Sequence, residues 1–187
     1  MDAFSYLTVL LSIVLGLAIT QILQGFRGLI LARKHLRGYW PCVLWAILLL
    51  FMNVQAWWAI YQLREYVHWT FLAFSIVLAE TIPLYLLAAL VFPDMDNNGQ
   101  VDLRTHYYDN HRWFFFMAVA LIVTSIGKTY VLYGYFRDHA DLYFQTVFAA
   151  TCAVAAWTRN ERYHKFLAAL TAIGLPIYIA VLFPLLR

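Results

Sequence analysis

The stretch Tyr66–Pro93 reads YVHWTFLAFSIVLAETIPLYLLAALVFP, and Glu80 is its only acidic or basic residue other than His68. A bilayer core needs about 20 apolar residues in helical form, and this run exceeds that length. Lipid offers no water to unpaired backbone groups, so such a run is read as a helix. Reading outward from charge to charge gives five more stretches. They are Ala3–Phe26, Gly38–Leu63, Trp113–Phe136 (interrupted by Lys128), the shorter Leu142–Thr158, and Phe166–Leu186. A β-barrel would show short alternating segments instead.

Composition points the same way. Of 187 residues, 64% are hydrophobic and 12% charged, with a mean hydropathy of +0.68. A soluble domain of this size could not hide that much apolar surface. The sequence therefore predicts an all-α polytopic membrane protein, a single domain over residues 1–187, with six transmembrane helices. Trp40, Trp57, Trp58, Trp69, Trp113 and Trp157 fall near proposed span ends, where amphipathic rings favour the headgroup level. Trp45 lies inside a span.

Lys and Arg set the expected orientation. Arg27, Arg33, Lys34 and Arg37 follow the first span; Arg104 and Arg112 follow the third; Arg159, Arg162 and Lys165 follow the fifth. The other side holds Arg64, Arg137 and Arg187, with Lys128 leaning towards it. The positive-inside rule puts the larger group in the cytoplasm and both termini outside, as in a multi-pass protein of the plasma (bacterial inner) membrane. The net charge of +3 is thus a topology signal, and no nucleic-acid partner is expected. The start Met1-Asp2 lacks a basic n-region, so the first run is read as a span and not as a cleaved signal. Cys42 and Cys152 fall within spans and are read as inert thiols.

Two segments echo each other. Tyr66-Val67-His68 and Phe71-Leu72-Ala73 match Tyr163-His164 and Phe166-Leu167-Ala168, and Pro83-Leu84-Tyr85 matches Pro176-Ile177-Tyr178. The offset is about half the chain. Two readings stay open: chance similarity between apolar helices, or inverted three-helix repeats (1–93 and 113–187) joined by a cytoplasmic acidic loop, 94–112. Inverted repeats are a common transporter construction with the site near the midplane.

Glu80 and Lys128 break otherwise apolar spans. A charge at mid-depth costs roughly 2.5–3.5 kcal/mol on insertion scales, so both should face protein or water. Their depths differ by only about 7 Å at 1.5 Å rise per residue, within reach of a lysine stem. Asn53, Gln55, Ser12 and Thr124 share the outer half with them. These residues line a polar cavity on one reading and make interhelical hydrogen bonds on the other. Thr8, Ser12, Gly16, Thr20 and Gln24 recur every four residues and are read first as a helix-packing seam.

The loop Asp94-Met95-Asp96-Asn97-Asn98-Gly99-Gln100-Val101-Asp102 resembles the beginning of an EF-hand calcium loop. It places Asp94, Asp96, Asn98 and Asp102 at ligand positions and Gly99 at the turn. Position 12 is Thr105 where a bidentate Glu belongs, and a solvated turn accounts for the same residues. His106, Asp109 and His111 follow as further ligands or as an interfacial strip.

No G-x-S-x-G, H-E-x-x-H or P-loop is present, and no enzyme and no cofactor are expected; a membrane-embedded enzyme on lipid substrates, resting only on the acidic and histidine residues of 94–112, comes last among the readings. The six histidines lie outside the span centres, which disfavours an intramembrane haem. The leading expectation is a small transporter or channel subunit for an ion or small polar solute. The other is a membrane sensor or accessory subunit acting through residues 94–112. Six short helices make a thin wall, which favours a homo-oligomer as the state in the lipid bilayer.

Overall fold

A computed structural model describes residues 3–94, 101–135 and 139–182. Among these residues there are six α-helices: α1 (Ala3–Leu31), α2 (Trp40–Tyr61), α3 (Phe71–Leu90), α4 (Leu103–Tyr133), α5 (His139–Trp157) and α6 (Glu161–Leu182). A 3-10 turn, Gln62–Glu65, closes α2. Two short strands, β1 (Leu36–Arg37) and β2 (Val101–Asp102), pair in parallel, Leu36 opposite Val101. The helices close a ring in the order α1, α3, α4, α5, α6, α2, with α2 also touching α3 and α4.

Five helices are long and apolar enough to cross a membrane: α1, α2, α3, α4 and α6. The expected sixth, α5, does not meet that measure, because His139, Asp141 and Gln145 dilute its first two turns. Large apolar side chains cover the outside of the bundle. Ile13, Phe51, Leu72, Val123 and Ile173 are each more than half exposed. Water would penalise such a surface and hydrocarbon would not, which is consistent with a membrane-embedded bundle.

The packing seam of α1 differs from the expected stripe. Leu7, Leu11, Leu15, Ala18, Ile22, Gly25 and Leu29 are buried, a spacing of three and four that keeps one face inward. Gly16, Thr20 and Gln24 are exposed, and a side chain at Gly16 would meet open space. Close approach occurs at Gly25 instead, where any Cβ would run into the Phe92 ring. Phe92 also packs edge-on against Phe26, at 5.1 Å between centroids, and ties the end of α1 to the end of α3.

The fourth helix starts earlier than expected. Residues 94–112 were expected to form a loop, but the chain is helical from Leu103 onward. Asp102 explains the start: its side chain accepts from the backbone N–H of Arg104 (2.9 Å) and of Thr105 (3.1 Å). This satisfies two of the four free donors at a helix beginning. Gly134 ends the helix in the left-handed conformation, φ 73°, that a side chain would disfavour.

The echoed segments agree in place only in part: Pro83 and Pro176 both lie inside their helices, α3 and α6. Tyr66-Val67-His68 precedes α3, whereas Tyr163-His164 lies inside α6. The basic loops do share one end of the bundle. β1 pairs with β2, Cys42 Sγ donates to the Val91 carbonyl at 3.0 Å, and Arg104 bonds Glu161 across α4 and α6.

Candidate functional site

α4 packs against α3 beside Gly127, where an added Cβ would sit 4.0 Å from Ile76 Cδ1, at ordinary contact. One residue on, Lys128 extends its stem across this contact. Its Nζ donates to both carboxylate oxygens of Glu80, at 2.9 and 2.6 Å. The two side chains retain 18% and 21% of their accessible surface. Each charge would be costly in hydrocarbon by itself, and pairing offsets part of that cost.

The remaining residues expected beside this pair are placed differently. Ser12 donates to the Thr8 carbonyl of its own helix at 2.6 Å. Thr124 donates to the Ala120 and Leu121 carbonyls, both at 2.9 Å. Both hydroxyls are thus satisfied within one helix, the i−4 habit of Ser and Thr. Asn53 is fully buried; its Nδ2 donates to the Leu49 carbonyl at 2.8 Å, and its Oδ1 has no partner among the described residues. Gln55 is half-buried.

A second polar group sits at the same end of the bundle, on α5 and α6. Gln145 Nε2 donates to both oxygens of Asp141, at 2.9 and 3.0 Å. The Tyr178 hydroxyl donates to Asp141 at 2.7 Å. Sequence reasoning treated Asp141 as a span boundary and Tyr178 only as part of a repeat. Glu80, Lys128 and Asp141 together carry a formal charge of −1, spread over α3, α4 and α5.

The opposite end holds a buried aromatic and histidine cluster. His164 and His111 are 0% and 2% exposed, with ring centroids 5.7 Å apart. His164 Nε2 donates to the Thr158 carbonyl at 2.9 Å, which leaves Nδ1 to accept from the Tyr107 hydroxyl at 3.0 Å. His111 Nδ1 donates to the Tyr108 carbonyl at 2.6 Å. The sequence showed these histidines near span ends but not that α4 and α6 bury them against each other. Their bonds make a latch joining α4, α6 and the turn before α6.

Of the residues expected to bind metal, Asp96 and Asn98 lie outside the described residues. Asp94 is exposed, and Asp102 is committed to capping α4. Among the described residues, no group of three or more His, Cys, Asp or Glu is arranged to hold a metal ion. Cys42 and Cys152 are buried free thiols.

No protein-family profile, no curated protein and no solved structure matches this chain.

Proposed function

We propose that the protein is a non-enzymatic integral membrane protein, a small transporter or channel subunit that moves an ion or small polar solute past Glu80 and Lys128. The observation that carries this reading is the two-oxygen ion pair between α3 and α4, set beside the Asp141–Gln145–Tyr178 group. Lipid-exposed packing needs no such pair, and ionisable residues inside a bilayer tend to mark substrate and ion pathways. The net negative charge of the two groups favours a cation or proton over an anion. Lys128 neutralises Glu80 in the resting state and must release it when a cation arrives.

In this reading α5 is a sixth span whose polar outer turns face the pathway. The basic loops lie in the cytoplasm of a plasma membrane, both termini lie outside, and copies of the chain associate to thicken the wall. The sensor or accessory reading draws on residues 94–112, and the capping role of Asp102 takes one of its ligand candidates away.

Flux tests the proposal. Purified protein in proteoliposomes is given an imposed proton, Na⁺ or K⁺ gradient, and uptake is compared with that of Glu80→Gln. Wild-type uptake of one of these ions, lost in the variant, is the expected outcome. Equal uptake by both proteins refutes the role given to Glu80.

A further inference from the structure

At the basic end of the bundle, Arg104, Thr105, Tyr108 and Asp109 of α4 and Arg159 before α6 line an open hollow of about 320 Å³. That volume lies within the usual range for small-ligand sites, roughly 300–1,000 Å³. Arg104 is partly engaged, bonding Glu161 at 2.9 Å with its guanidinium 5.7 Å from the Tyr108 ring centre. Arg159 and Asp109 are both exposed, and neither has an ion-pair or side-chain hydrogen-bond partner among the described residues. Two opposite charges therefore line one hollow without reaching each other.

The same two elements continue into an aromatic strip. Trp113 and Phe116 lie further along α4, and Trp157 ends α5, two residues before Arg159. Their rings are in contact, at 6.4 Å for Trp113–Phe116 and 5.3 Å for Phe116–Trp157. Trp113 and Trp157 are about two-thirds exposed. Exposed tryptophans mark the headgroup level of a membrane helix. The hollow thus opens just above the glycerol region, with an apolar aromatic surface leading down from it.

We infer that this hollow is a binding site for a phospholipid whose headgroup carries both a phosphate and a primary ammonium, that is, a phosphatidylethanolamine. Arg159, with Arg104 beside it, takes the phosphate, since guanidinium groups match phosphate oxygens in geometry and charge. Asp109 accepts from the ammonium. Trp113, Phe116 and Trp157 pack against the glycerol and upper acyl chains. A purely anionic headgroup would leave Asp109 repelled by its charge. A trimethylated ammonium has no N–H to give it. The site does not depend on the transport reading, because it lies at the other end of α4 from Lys128.

Native mass spectrometry of the delipidated full-length protein, titrated with phosphatidylethanolamine, phosphatidylglycerol and phosphatidylcholine of identical chains, tests this. Phosphatidylethanolamine should be retained about 1.4- to 5-fold over the other two, the factor expected of an exposed charge contact. Asp109→Asn should remove that preference, and Arg159→Gln should lower retention of all three lipids. Lys34→Gln, a charge change on the same face away from the hollow, should alter neither. Equal retention of the three lipids by the wild type, stronger retention of phosphatidylglycerol, a preference that survives Asp109→Asn, or retention unchanged by Arg159→Gln would overturn the assignment.

Discussion

Lys128 on α4 holds both carboxylate oxygens of Glu80 on α3, at 2.9 and 2.6 Å, with about four-fifths of each side chain buried. Glu80 is the one charged residue of α3, and Lys128 the one charged residue of α4 beyond Arg112, so each depends on the other.

That dependence predicts a non-additive mutant cycle. Glu80→Gln or Lys128→Met alone leaves one charge without its counter-ion and should cost about 2–4 kcal/mol, below the roughly 3–5 kcal/mol of a fully buried pair because each side chain keeps about a fifth of its surface. The double variant leaves no charge stranded and should be more stable than either single one. Thermal unfolding in a fixed detergent, measured for the four proteins, reads this coupling.

The contact of α1 with α3 should be intolerant at Gly25. Ala there places a methyl group in the Phe92 ring, which is 6% exposed and packed edge-on against Phe26. Gly25→Ala should lose about 1–3 kcal/mol through overpacking. Gly25→Ala with Phe92→Leu should regain part of it. Gly16→Ala should instead stabilise by about 0.4–1 kcal/mol, since an added methyl there meets nothing and Ala is the better helix former.

The latch at the basic end should depend strongly on His164. His164→Ala removes two hydrogen bonds and opens a void among Tyr107, Phe115 and His111. About 2–4 kcal/mol should be lost, from the void and the stranded polar groups together. Tyr107→Phe removes one bond and keeps the ring, so about 1 kcal/mol is expected. Unfolding midpoints of the two variants give the ordering.

Asp102 should confer an acid sensitivity. The N–H of Thr105, then that of Arg104, and the nearby charge of Arg37 hold its carboxyl below the ordinary carboxylate range. A carboxyl lowered on folding contributes stability above its unfolded value, and that contribution is lost as pH falls through the lowered folded value. The melting temperature of the wild type should therefore decline more steeply below the usual carboxylate range than that of Asp102→Asn. Asn still caps the helix but carries no proton equilibrium. Parallel curves for the two proteins would show that the cap is not the source.

The apolar helices were legible because charge is nearly absent from them, and a residue such as Glu80 stands out against that background. Lys128 was legible for the same reason, and the depth estimate put it within reach. Asp141 and Tyr178 were not, because polar residues at a helix end look ordinary until the neighbouring helix is in place. The early start of α4 was hidden because Arg104-Thr105-His106-Tyr107-Tyr108-Asp109-Asn110-His111 has the polarity of a loop. What makes it helical is the cap at Asp102 and the burial of Tyr107 and His111 against α6, a contact made across more than fifty residues. The hydroxyls of Ser12 and Thr124 read as partners for other helices, yet the carbonyl four residues back satisfies each of them more locally. The charges at Asp109 and Arg159 are far apart in sequence, and only the fold sets them in one hollow.

The most direct measurement is cation uptake by proteoliposomes carrying the charge-swapped pair, Glu80→Lys with Lys128→Glu, beside the wild type and Glu80→Gln. The swap keeps an ion pair between α3 and α4, so the protein should fold and melt close to the wild type. It also moves the carboxylate off the position that meets the cation. The account predicts a stable swapped protein with uptake as low as that of Glu80→Gln. A swapped protein that is stable and transports as well as the wild type would mean that the pair only holds the helices together.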